Sequence, residues 1–307
     1  MEKVIVVIGP TSVGKTKMGV ALAKKFNGEV ISGDSMQIYK QMDIGTAKVT
    51  EEEKEGIIHH CVDILNPDET YSVHDFQQTV RKKITEITQR GHVPIIVGGT
   101  GLYIKAALYD YQFDEMENDH HAINEKYKDY TNEQLHDHLK SIDEESAKTL
   151  HFNNRRRVLR AIEIYETTGK RKSEMLEEQE HVCLYDAYFV GLTLPRDVLY
   201  ERINKRVDVM MKNGLKEEMD QLYSQGLTRN HQSMKAIGYK EWFDYYDRQI
   251  DLNEVLELIK KHSRQYAKRQ YTWFKNQFDV HWYDVNLEHF EQTIKQVTDD
   301  IEKILKN

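Results

Sequence analysis

Eight residues, GPTSVGKT at Gly9–Thr16, constrain this chain more than any other stretch. They fit G-x-x-x-x-G-K-[ST], a loop whose backbone N–H groups converge on phosphate oxygens. So short a pattern arises by chance, and its flanks decide whether it is a site. Val4–Ile8 is wholly apolar and β-branched, as in a strand buried on both faces of a parallel sheet. Thr16–Phe26 then carries Met18, Leu22 and Ala23 at helical spacing. Strand, loop and helix together put the positive end of a helix behind the loop. In this reading Gly9, Pro10, Thr11, Ser12, Val13, Gly14, Lys15 and Thr16 cradle phosphate. Lys15 adds a point charge, and the Thr16 hydroxyl is the ligand for a phosphate-bound Mg²⁺. Most loops of this kind hold ATP or GTP, yet these residues recognise phosphate rather than a base.

The rest of the chain extends the pattern. Glu29–Ile31 reads as a second strand, ending in SGDS, and Pro94–Val97 as a third, ending in GGTG. Phe76–Arg90 reads as a helix with Val80, Ile84 and Ile87 on one face. This alternation predicts an α/β fold: a phosphate-loop, doubly wound parallel sheet with helices on both faces. Ligands of such sheets sit beyond the carboxyl ends of the strands, where GPTSVGKT, SGDS and GGTG all fall. Residues 111–183 are poor in glycine and proline and rich in charge. Helical patterns recur there at Asn132–Lys140, Glu144–Leu150, Asn154–Thr167 and Ser173–Gln179. The expected organisation is a core of residues 1–110 and 184–307 with an all-helical insertion at 111–183. Tyr188–Leu194 and Val280–Tyr283 read as further core strands, 197–275 as several helices, and Glu288–Leu305 as a closing helix.

At 307 residues the chain has room for two domains. Its two cysteines, Cys61 and Cys183, form no disulfide framework or zinc spacing, which fits a reducing cytoplasm. No apolar run approaches the roughly 20 residues needed to span a bilayer, and the start reads as a strand rather than a signal peptide. No obligate protein partner is indicated.

The formal net charge is −8, which on its face argues against nucleic acid. Two local stretches run the other way. Asn154–Lys172 holds Arg155, Arg156, Arg157, Arg160, Lys170, Arg171 and Lys172, with Val158, Ile162 and Tyr165 on a separate apolar stripe. Lys260–Lys275, KKHSRQYAKRQYTWFK, has no acidic residue and interleaves Tyr266, Tyr271, Trp273 and Phe274. Arginine with aromatics grips phosphates and stacks on unpaired bases, although charge runs are more often solvated faces and aromatics core. Asp34 reads either as a turn cap or as a base facing the crevice. An ATPase or GTPase places an acidic residue after an apolar strand to help hold Mg²⁺, and PIIVGGTG has none. His59-His60 lacks metal-site spacing and reads as structural or substrate-shaping.

Taken in order, these words resemble bacterial tRNA dimethylallyltransferases (tRNA isopentenyltransferases) from end to end. The matching words are GPTSVGKT (9–16), SGDSMQIYKQMDIGTAK (32–48), HH-VDI (59–64), YSVHDF (71–76) and GGTGLY (98–103). NNRRRVLRAIE (153–163), RINKRVDVMMKNGLKEE (202–218), QSMKAIGYKE (232–241) and AKRQYTWFK (267–275) follow. The chain departs from the family in FDEMENDHHAINEK, which lacks a proline and a basic residue usual there, with Asn124 near the basic position.

The resemblance implies transfer of a five-carbon allyl group from dimethylallyl diphosphate to N6 of the adenosine 3′ of the anticodon. The tRNAs concerned are those reading codons that begin with U. It implies Asp34 as general base, Thr100 beside the reacting centre, and Lys15 and Arg206 on the diphosphate. Asp34, Ser35, Met36, Gln37, Thr100, Arg156, Arg157, Arg160, Gln232, Lys235, Gly238, Tyr239, Lys268 and Arg269 would meet the anticodon stem-loop. A small-molecule kinase using ATP, and an RNA-binding protein with a relic phosphate loop, are the readings it competes with.

Overall fold

The computed structural model describes residues 1–111, 120–177 and 182–305. Two compact units emerge, one of Met1–Tyr109 with Cys183–Asn307 and one of Asp110–Val182.

In the larger unit six strands form one sheet: β1 (Lys3–Ile8), β2 (Gly28–Ser32), β3 (His59–His60), β4 (Val93–Val97), β5 (Asp186–Thr193) and β6 (His281–Asp284). Their order is β3-β2-β4-β1-β5-β6, and every pair is parallel. The chain leaves β1 toward one edge for β2, β3 and β4, then returns past it to build β5 and β6. The carboxyl end of β1 is therefore the topological switch point, where a crevice opens.

β1 holds the centre because both its faces are apolar. Val4, Val6 and Ile8 enter one core with Phe76, Val80, Ile84 and Ile104, from helices Val73–Gln89 and Gly101–Leu108. Ile5 and Val7 enter the other with Met18, Leu22, Val297 and Ile301, from helices Lys15–Lys25 and Phe290–Leu305. Each such side chain contributes about 1.5–3 kcal/mol over exposure, which fixes the strand's place.

The two-residue β3 was not legible as a strand. It sits at the sheet edge and pairs Val30 with His59 and Ile31 with His60. His60 Nε2 lies 2.6 Å from Glu29 Oε2, so this histidine is structural. Capping boxes set the starts of two long helices, Val73–Gln89 and Leu252–Gln277, Ser72 with Asp75 and Asp251 with Glu254.

The smaller unit is helical throughout its described elements: His120–Lys126, Asn132–Ile142, Glu144–Thr149, Arg155–Thr168 and Lys172–Glu177. Its own core comprises Ile123, Tyr127, Leu135, Leu139, Ala147, Val158, Leu159, Ala161 and Ile162. Tyr165, placed in the apolar stripe by spacing, is only half-buried. Buried Asp143 caps one helix through Ser146 N–H at 3.0 Å and accepts from Ser173 N–H at 3.0 Å. The last two residues of the expected Ser173–Gln179 helix lie outside the described residues.

Candidate active site

The phosphate loop leaves β1 and enters helix Lys15–Lys25 at the switch point. Gly14, at φ 103°, is the N-cap, and no side chain caps this helix. Its first-turn amides therefore have no intramolecular side-chain acceptor, as in helix ends that bind anions. Gly9 and Pro10 are buried, while Thr11, Ser12, Gly14, Lys15, Thr16 and the largely buried Val13 line a cleft of about 690 Å³. Lys15 Nζ spans the loop, donating to Gly9 O at 3.0 Å and Pro10 O at 2.7 Å. Burial, together with the positive charge of Arg206, lowers its pKa to about 7, partly offset by Asp34.

Helix Arg196–Lys212 brings two further cations to the same mouth. Arg202 Nε donates to Ser12 O at 3.0 Å, and Arg206 Nη1 reaches Thr11 Oγ1 at 3.5 Å. Three cations around one loop repel one another unless an anion lies between them.

The opposite wall is made by the loops after β2 and β4. They touch backbone to backbone: a Cβ on Gly98 would lie 2.3 Å from the Gly33 carbonyl group, so only glycine fits. Thr100 N–H donates to Gly33 O at 3.2 Å, and Ser35 N–H donates to Thr100 Oγ1 at 3.1 Å. Asp34 Oδ1 accepts from Met36 N–H at 2.8 Å, which is a turn-cap geometry. Burial pushes the Asp34 carboxyl above its ordinary range, against the pull of the Met36 N–H, Lys15, the Gln37 N–H and Arg206. Asp34 thus has the turn-cap geometry through one oxygen, while burial makes its carboxyl harder to ionise.

A second chamber of about 350 Å³ adjoins the first. Asp34, Ser35, Met36, Lys235, Gly238, Tyr266 and Arg269 line it. Thr11, Ser12, Asp34, Thr46, Ala47 and Arg206 belong to both chambers. One side therefore offers the loop amides with Lys15 and Arg202, the other Met36, Ile203, Met210 and Tyr266 with Lys235 and Arg269, and Asp34 stands where they meet.

The remaining sequence-derived residues divide by geometry. Lys268 and Arg269 are exposed on helix Leu252–Gln277, Arg269 with its guanidinium 5.8 Å from the Tyr266 ring centroid. In the smaller unit Arg156 and Arg157 are exposed, and Arg160 is paired with Glu163 at 2.8 Å. Asn124 lies in helix His120–Lys126, while the first half of FDEMENDHHAINEK, residues 113–119, lies outside the described residues.

Three residues of the group build walls. Gln37 accepts from Ser32 Oγ at 2.9 Å and donates to Thr46 O and Ala47 O at 3.4 Å. Gln232 pairs both ways with the Tyr71 backbone, at 3.2 and 2.6 Å. Tyr239 is fully buried, and its hydroxyl donates to Glu218 at 2.6 Å.

Sequence reasoning missed Glu218 and Gln270. Glu218 accepts from the N–H groups of Asp43, Ile44 and Gly45, and so holds the loop that rims both chambers. Gln270 lies in the buried stripe of its helix with Val255, Ile259, Ala267 and Phe274. A lone amide in an apolar stripe was the available signal.

Fold and cradle together define a phosphate-loop α/β protein with an all-helical unit set into its chain. Residues 37–277 match the family model described as IPP transferase, a span that begins beyond the phosphate loop. A tRNA dimethylallyltransferase of Bacillus cereus (strain AH187) is 55% identical over 287 residues, 92% of this chain and 90% of that protein. One from Bacillus anthracis is 54% identical over 92% of this chain and 91% of that protein.

Among solved structures, the tRNA delta(2)-isopentenylpyrophosphate transferase of Staphylococcus epidermidis is 47% identical, with TM-score 0.74 and 99% of each chain covered. A eukaryotic dimethylallyltransferase acting on tRNA is 33% identical, with TM-score 0.85 over 97% of this chain and 78% of that one. The chain belongs to the IPP transferase family; it is a transferase, and the similarities do not support the small-molecule kinase reading.

Proposed function

We propose that the protein transfers a dimethylallyl group from dimethylallyl diphosphate to N6 of the adenosine 3′-adjacent to the anticodon, in tRNAs reading codons that begin with U. The observation that carries this reading is the pair of chambers meeting at Asp34 and Arg206. A diphosphate suits the chamber lined by the loop amides, Lys15 and Arg202, and a flipped adenine suits the one walled by Met36, Met210 and Tyr266.

In that arrangement the N6 lone pair attacks the allylic carbon as its bond to diphosphate oxygen breaks. Asp34 takes the N6 proton, and diphosphate leaves with the bonding electrons. Lys15, Arg206 and the loop amides stabilise the charge that develops on the leaving group. Thr100, bonded to Ser35, holds the turn carrying Asp34. Lys268, Arg269, Arg156 and Arg157 supply the exposed positive charge that an acidic chain needs to hold RNA.

Among the described residues, no group of three or more His, Cys, Asp or Glu side chains is arranged to hold a metal ion. The Thr16 hydroxyl on the cleft wall is an oxygen donor that suits Mg²⁺, which is usually held by substrate phosphates and water with one or two protein oxygens. Thr16 would hold it, and it would neutralise diphosphate charge. No described helix is long and apolar enough to cross a membrane, and we place the protein in the cytoplasm, where tRNA is.

Asp34→Asn tests the base assignment. Single-turnover transfer falls about 10²–10⁴-fold, the usual worth of general-base catalysis, while the Kd for an anticodon stem-loop stays within threefold. Equal losses in both would remove Asp34 from the base role.

A further inference from the structure

Gln270 is 5% exposed, and its amide is used at both ends. Its Oε1 accepts from the Thr11 N–H at 2.9 Å, and its Nε2 donates to Gly99 O at 2.9 Å. The amide orientation is unambiguous, because an N–H must meet the carbonyl oxygen and a carbonyl must meet the NH₂. Thr11 lies in the phosphate loop and Gly99 adjoins Thr100. A single side chain therefore joins the cationic wall to the wall that carries Thr100 and, through Ser35, Asp34. The fit is close: a Cβ on Gly99 would lie 2.2 Å from Gln270 Nε2 and 3.8 Å from Lys15 Nζ. The Tyr266 hydroxyl, one turn earlier on the same helix, also reaches Gly99 O, at 3.3 Å.

The Thr11 amide has a consequence for the cradle. It is spent on Gln270, so the loop is turned with this N–H toward the helix, and the later amides of the loop are left for an anion. Without Gln270 the Thr11 N–H would lose its partner, and Gly99 O would keep only the longer bond from the Tyr266 hydroxyl. We infer that Gln270 is a positioning residue, which holds the phosphate loop in its anion-receiving shape and fixes its register against the Thr100 loop. The inference rests on the reading of that loop as a diphosphate cradle.

The test uses the full-length protein and two substitutions. Gln270→Met keeps the volume and removes both bonds. Gln270→Glu keeps the acceptor for Thr11 N–H, but donates to Gly99 O only when its carboxyl is protonated. Calorimetric titration measures Kd for inorganic pyrophosphate with Mg²⁺ and, separately, for an anticodon stem-loop, beside the native protein at each pH.

Gln270→Met weakens pyrophosphate about tenfold, roughly one hydrogen bond's worth, and leaves the stem-loop within twofold. In Gln270→Glu the pyrophosphate deficit relative to native shrinks as pH falls from about 8 to about 5.5, because protonation restores the missing donor.

Pyrophosphate Kd within twofold of native in both variants would overturn the inference. So would equal loss of pyrophosphate and stem-loop affinity with a lowered Tm, or a Gln270→Glu deficit independent of pH. Native protein that fails to bind pyrophosphate would instead sink the cradle reading on which the inference stands.

Discussion

Lys15 and Asp34 show how burial sets the chemistry of single residues here. Both are desolvated, so their pKa values move toward each other: the lysine falls to about 7 and the carboxyl rises above its ordinary range. In the free enzyme Lys15 is charged below about pH 7 and loses its proton above it. Asp34 is a competent base only above its own raised pKa. kcat/KM for the allylic diphosphate reports the free enzyme, so it rises with pH as Asp34 ionises and declines above about 7 as Lys15 neutralises. A profile flat between about pH 7 and 9 would contradict the assignment of Lys15 as the diphosphate's cation. The eight-residue loop disclosed Lys15 because its spacing is a backbone requirement. Asp34 stayed ambiguous in sequence because one carboxylate can cap a turn and face a crevice at once. Gln270 was hidden among the cations of KKHSRQYAKRQYTWFK, since its meaning comes from two loops distant in sequence.

At the scale of elements, β1 and its flanking helices were legible because five consecutive β-branched residues followed by a period of 3.6 admit few arrangements. β3 was not, because two histidines carry no strand pattern. Its place comes from tertiary contacts around Glu29. That carboxylate, 2% exposed on β2, meets Arg90, His60 and His92 at 2.8, 2.6 and 2.7 Å. Burial alone would raise its pKa, but these hydrogen bonds outweigh burial and hold it at about 2.

The sign follows directly. A group bound more weakly by protons when folded stabilises the fold above its unfolded pKa, near 4.5, and loses that contribution as pH falls toward about 2. Glu29→Gln is therefore less stable at neutral pH by about 3 kcal/mol, the usual scale for breaking a buried pair. The gap between native and variant in urea titrations narrows between about pH 4.5 and 2. A gap that is constant over this range would show that the cluster does not anchor the edge strand.

The whole molecule comprises a unit built on a parallel sheet and a helical unit with exposed arginines. An acidic total charge of −8 does not exclude RNA, because exposed basic residues also gather locally, Lys268 and Arg269 on helix Leu252–Gln277 and Arg156 and Arg157 in the smaller unit. The two units differ in texture, glycine-punctuated strands against glycine-poor charged helices.

The central claim is that the loop holds a leaving diphosphate while the adenine arrives on a tRNA. Incubation of the protein with ¹⁴C-labelled dimethylallyl diphosphate, Mg²⁺ and unmodified tRNA reading a codon that begins with U tests it most directly. The account predicts one label per tRNA, on N6 of the adenosine 3′ of the anticodon, with one diphosphate released. Absence of label from the tRNA, while ATP supports phosphate transfer to a small acceptor, would contradict it.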